Sequence, residues 1–121
     1  MTWQILRDKG ACPAQVRRFF NLFPDGVEVT ETSCTAVAEE FEWHWSAETF
    51  LPKELLEEYN SIRVNAWKEH AYRVENADFH FRAADISSNE YIVQQDISWK
   101  EFNRTLAKTF GRLASAITET N

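Results

Sequence analysis

The sequence predicts an all-α chain in which short N-terminal helices lead into one long helix packed against a C-terminal helix. Two observations carry that reading. From Pro52 to Ala84 the apolar positions Leu55, Tyr59, Ile62, Ala66, His70, Val74, Ala77, Phe81 and Ala84 follow an eleven-residue pattern of three- and four-residue steps. Eleven residues in three turns keeps such a stripe on one face of a nearly straight helix. At about 1.5 Å per residue the rod is roughly 45–50 Å long, a scaffold for contacts more than a cleft for chemistry. The second observation is the scarcity of Gly and Pro, three of each in 121 residues, which disfavours an all-β chain with its closely spaced turns.

The elements follow in order. Thr2 can cap a helix from Trp3 to Lys9, and Gly10 ends it in the left-handed conformation. Pro13 suits a first helical position, and Ala14 to Phe23 place Val16, Phe19, Phe20 and Phe23 on one side. Pro24-Asp25-Gly26 breaks that helix, and Val27 to Thr30 reads as an extended connector. Thr30 then caps a helix from Glu31 to about Glu39, with Glu31 near its positive end. Phe41, Trp43 and Trp45 alternate with polar residues and could form a strand, but no second strand is available to pair with it. A short helix from Trp43 to Phe50 is therefore expected, ended by Pro52, which also opens the long helix. Asp85 to Asn89 is rich in turn-forming residues, so a break is expected over 85–97. Ser98-Trp-Lys-Glu101 reads as a capping box, starting a last helix over 98–118 that carries Trp99, Phe102, Leu106, Phe110, Leu113 and Ile117. Residues 1–121 are expected to make a single helical domain, since the chain is long enough for one core but not two.

Composition excludes several classes. Hydrophobic residues are 44% and aromatics 14%, too many for a disordered chain. No run approaches the length of a membrane span, and the N-terminus lacks the pattern of a secretory signal, so the expected compartment is the cytoplasm. Cys12 and Cys34 are expected to be buried thiols and not a disulfide, and no Cys/His spacing suggests a metal. His70 and His80 are ten apart, near opposite faces of one helix, which does not suit a metal site. No phosphate loop or nucleophile elbow is present, so no catalytic residue, cofactor or enzymatic activity is expected.

The net charge of −6 is concentrated in one block. Residues 1–24 carry four cations against Asp8, and residues 59–121 carry eight charges of each sign. Residues 25–58 carry ten carboxylates against Lys53 alone. That block repels nucleic acid and suits a basic protein surface. Trp3, Trp67 and Trp99 fall near apolar stripes and are expected in the core. Trp43 and Trp45 flank His44 and cannot easily both be buried, so one of them could anchor an interface. The expected partner-binding residues are Glu39, Glu40, Glu42, Trp43, Trp45, Glu48, Glu57 and Glu58.

Two runs carry a family resemblance. One is Gly10-Ala11-Cys12, Gln15-Val16, Phe19 and Phe23 to Thr30, followed by Phe41 to Trp45 and Leu51-Pro52. The other is the repeat Glu58-Tyr59…Arg63-Val64…Ala66-Trp67, echoed by Glu69-His70…Arg73-Val74…Ala77. Together, over residues 3–80, these resemble small uncharacterised proteins encoded by phages and prophages. The C-terminal third departs from that pattern. The resemblance implies a mobile-element origin and no catalytic residue.

From this follows the expectation of a phage-encoded, anti-CRISPR-like inhibitor in the host bacterial cytoplasm. It would bind a host protein or ribonucleoprotein complex through its acidic and aromatic surface and block a basic nucleic-acid site, without touching nucleic acid or membrane itself. The alternative is a structural or self-assembling phage protein whose long helix pairs with that of a second copy as a homodimer. Whether the eleven-residue stripe is covered by the chain's own last helix discriminates between the two.

Overall fold

A computed structural model describes the backbone of residues 1–120 and the side chains as far as Ile117; Asn121, the end of the expected domain, lies outside the described residues. The chain is all-α. Six helices follow one another: α1 (Trp3–Asp8), α2 (Pro13–Leu22), α3 (Glu31–Ala36), α4 (Trp43–Phe50), α5 (Lys53–Arg82) and α6 (Ser88–Thr120), with no strand among the described residues.

Most starts and stops are those the local chemistry dictates. The Thr2 hydroxyl accepts from the Ile5 N–H at the start of α1, and Gly10 takes φ +88° beyond its end. Pro13 opens α2. At α3 the Thr30 hydroxyl accepts from the Ser33 N–H at 3.0 Å, and the Ser33 hydroxyl accepts from the Thr30 N–H at 2.9 Å, a reciprocal cap. The α3 helix ends at Ala36, three residues short of the expected Glu39. There the chain turns so that the carbonyl of Ala38 can accept from the Trp43 indole N–H at 2.7 Å and that of Glu40 from Arg18 at 2.9 Å. The Phe41–Leu51 stretch forms α4, as expected of a run with no strand partner.

The expected C-terminal break is shorter than the composition of 85–97 suggests. The α5 helix closes with Asp85 N–H on the carbonyl of His80 and Ala84 N–H on that of Phe81, which places Ala84 at φ 62°. This is the geometry usually given to glycine, and alanine holds it at a cost of roughly 1–2 kcal/mol. Then α6 starts at Ser88, ten residues before the expected Ser98. Its cap is Ser87, whose hydroxyl accepts from the Glu90 N–H at 3.1 Å. Ser87-Ser-Asn-Glu90 is the same capping signature, eleven residues earlier in the chain. Ser98 is buried inside α6, and its hydroxyl meets His70 Nδ1 at 2.8 Å.

On α5 the eleven-residue stripe is the covered face. Tyr59 and Ala77 are buried, and Leu55, Ile62, Ala66, His70 and Val74 are half-buried; only Phe81 and Ala84, at the far end, are exposed. The long helices pack against one another, so the stripe is spent within the chain. The main core lies at one end of this hairpin, where Trp43, Ala47, Leu51 and Tyr59 meet Phe102, Leu106, Phe110 and Leu113. A ladder of aromatic rings, Phe23, Phe19, Phe41, Trp43 and Phe110, ties α2 to that core at centroid spacings of 5.3–6.1 Å.

Of the two thiols, Cys34 is buried as expected, whereas Cys12 is exposed beside Pro13; both are free. Burial pushes the Cys34 thiol up from 9.0 to about 11. Because the unfolded thiol ionises first, its contribution is complete below pH 9 and is lost as pH rises through about 11, on the order of 2–3 kcal/mol at most. Burial also raises the Tyr59 phenol, which adds to the loss above pH 10. The urea midpoint is expected to fall between about pH 8 and about pH 10.5, and to fall less in Cys34→Ala.

Candidate functional site

The α4 helix lies across the core end of the hairpin, and it carries one buried ring beside half-buried ones. Trp43 is 5% exposed, with its ring against Phe41 and Phe110 and its N–H on the Ala38 carbonyl. Two residues on, Trp45 points the other way, half-buried with its ring edge-on to Phe50. Trp43 is therefore a core residue and not the interface anchor its position suggested, because only one of two tryptophans two apart on a helix can face inward.

Between α4 and α6 runs an open groove of about 680 Å³. Its rim carries Glu39, Glu42, Trp45 and Glu48, Trp43 forms part of its floor, and Trp99 and Asn103 of α6 form the opposite wall. Thus five of the eight expected partner-binding residues come together. The other three do not. Glu40 turns to Arg18 with a 3.6 Å ion pair, Glu58 turns to Arg112 of α6 at 3.4 Å, and Glu57 is exposed on α5 away from the groove.

Sequence reasoning missed the far wall. Trp67 and Trp99 are half-exposed, at 51% and 47%, and not in the core. They close an aromatic cluster with His70 and Phe102, in which Trp67–Phe102 centroids are 5.4 Å apart and His70–Trp99 5.6 Å. Spacing on one helix places such rings near the apolar stripe, but how much of each the partner helix covers depends on the hairpin. The available signal was their number, since five tryptophans are more than a core of this size needs.

The charge of the acidic block is partly met inside the chain. Lys108 reaches Glu31 at 3.5 Å, besides the Arg18–Glu40 and Arg112–Glu58 pairs. Glu39 and Glu42 have no ion pair among the described residues, although the Glu39 charge is felt by Lys100, whose pKa is raised first by its bond to Asp96 and then by Glu39. Glu48 accepts from His44 Nε2 at 2.6 Å. The His44 ring stacks on Tyr59 at 6.2 Å, and behind it His44 Nδ1, the Tyr59 hydroxyl, Asn60 Oδ1 and Arg63 Nε are buried without a protein hydrogen-bond partner. These four atoms cluster at the junction of α4 and α5.

The groove combines carboxylates, aromatic faces and an amide in an open trough. Those groups can attract a cationic surface, accept its hydrogen bonds and stack against it. Among the described residues no group of three or more His, Cys, Asp or Glu could hold a metal, and no helix is long and apolar enough to cross a membrane. Compared with protein-family models, curated proteins and solved structures, the chain matches none of them.

Proposed function

We propose that this chain is a non-catalytic binding protein whose α4–α6 groove docks a basic surface on another protein or ribonucleoprotein. The observation that carries the reading is the convergence of Glu39 and Glu42, which have no ion pair among the described residues, with Trp45 and Trp99 on one trough. Carboxylates there steer a cationic partner, and half-exposed tryptophans supply the buried contact that holds it. The resemblance of residues 3–80 to phage and prophage proteins supports a host target, and denial of a nucleic-acid site on a bacterial defence complex is the effect such a docking would have. The chain would then act as an anti-CRISPR-like inhibitor in the host cytoplasm.

The test is a plaque assay in bacteria carrying an active CRISPR–Cas system that targets the infecting phage. Expression of the chain is expected to restore plaques, and Glu39→Lys with Glu42→Lys is expected to abolish the rescue. With a captured complex in hand, that double reversal should slow association tenfold or more at low salt, whereas Trp99→Ala should act mainly on dissociation. No rescue in any defence background tested would overturn the inhibitor reading. Rescue unaffected by the double reversal would remove the groove from it.

A further inference from the structure

Beyond the core, α5 and α6 run on as a two-helix arm. Between Asn60 and Ile97 only Ala77 is buried. Eight of the twelve large hydrophobic side chains exposed among the described residues lie in this stretch, the most open being Tyr72 at 69%, Phe79 at 65% and Ile92 at 60%. The arm also gives the molecule more surface than its mass requires. The accessible area is 7875 Å², against roughly 6,800 Å² expected of a compact monomer of this size. The excess, about 1,100 Å², exceeds the roughly 800 Å² that each partner buries in a standard stable interface.

The charges on the arm say what fits it. Its base, residues 60–73 with 97–108, carries Arg63, Lys68, Arg73, Lys100, Arg104 and Lys108 against Glu69 and Glu101, a balance of +4. Its tip, residues 74–96, carries Glu75, Asp78, Asp85, Glu90 and Asp96 against Arg82, a balance of −4. One half of the arm is thus the electrostatic complement of the other. Apart from the Lys100–Asp96 pair at their boundary, a single arm cannot use this, because the rest of base and tip lie toward opposite ends of the same rod. Two arms laid antiparallel can, with each tip on the other's base, and a two-fold axis repeats the favourable contact.

We propose that the α5–α6 arm is a dimerisation surface, on which a second copy of this chain packs antiparallel, tip to base, to form a four-helix bundle. The apolar side chains supply the buried area and the charge gradient sets the direction. The stripe on α5 plays no part in it, since α6 already covers that face.

The experiment uses four exposed residues that have no ion pair among the described residues: Glu75 and Glu90 at the tip, Lys68 and Arg104 at the base. Sedimentation equilibrium of the full chain is expected to give twice the 14.2 kDa chain mass at micromolar concentration. A tip variant, Glu75→Lys with Glu90→Lys, brings the tip from −4 to neutral and removes the attraction at both contacts. A base variant, Lys68→Glu with Arg104→Glu, brings the base from +4 to neutral with the same effect. Each alone is expected to weaken dimerisation tenfold or more while keeping its helical circular dichroism. Mixed in equal amounts, the two are expected to recover part of the dimer, because the mixed pair regains one complementary contact, the unaltered tip of one variant on the unaltered base of the other, where each variant alone has none. A wild-type chain that stays monomeric at high micromolar concentration overturns the proposal and leaves the arm to an unlike partner. A dimer that the variants do not weaken, or that mixing does not partly restore, overturns the antiparallel pairing.

Discussion

Trp43→Ala is expected to destabilise the protein by about 3–5 kcal/mol, a large part of the stability of a chain this size. The ring is 5% exposed and stands between Phe41 and Phe110 in the aromatic ladder that joins α2 to α6. Its removal leaves a cavity between Phe41 and Phe110 and also strands the Ala38 carbonyl, which turns the chain between α3 and α4. Trp43→Phe separates the two effects: it restores most of the packing but not the donor, and should cost about 1–3 kcal/mol. Trp45→Ala, two residues away on the open side, should cost far less. Urea unfolding of the three variants checks the order. Equal midpoints for the Trp43 and Trp45 alanine variants would show that the inward and outward faces of α4 have been exchanged.

That contrast marks where the sequence was legible. Helix starts were, because Thr2, Pro13 and Thr30 act through their own backbone neighbours and need no tertiary context. The stripe on α5 was, because a repeat sustained over thirty residues can keep only one face inward. The start of α6 was not. Ser98 and Glu101 have the spacing of a cap, but a serine and a glutamate three apart on the middle of a helix look the same in the sequence. What decides is whether the chain is already helical when it reaches the serine, and Ser87 had started it. Burial of the tryptophans was illegible for a related reason. Trp99 lies beside the stripe of α6, but whether that flank is covered depends on where α4 and α5 cross it. The acidic block was visible as a count, yet its division into paired carboxylates such as Glu40 and Glu58 and unpaired ones such as Glu39 and Glu42 required the positions of Arg18 and Arg112 in space.

Gly111→Ala is the second substitution expected to have a large effect, at a residue whose role no sequence pattern announces. In the middle of a helix alanine ordinarily gains about 1 kcal/mol over glycine, so an exposed site would be stabilised. Here α3 crosses α6 directly over Gly111. A Cβ at that position would stand 2.7 Å from the carbonyl carbon of Thr30 and 2.9 Å from the Cα of Glu31. Both are backbone atoms at the capped start of α3, held by the reciprocal Thr30–Ser33 bonds, so no side chain can swing aside to admit the methyl group. Either α3 lifts off α6 or the cap breaks, and the methyl group should cost about 2 kcal/mol or more net of the propensity gain. Lifting α3 also uncovers Cys34, so the rate at which a thiol reagent reaches that buried sulfur should rise together with the fall in urea midpoint. A more stable Gly111→Ala variant with Cys34 as protected as before would mean that α3 does not sit on α6 at this point. A less stable one with Cys34 newly reactive would place the contact at Gly111 and assign the glycine to close helix packing, since its φ is not one that only glycine adopts.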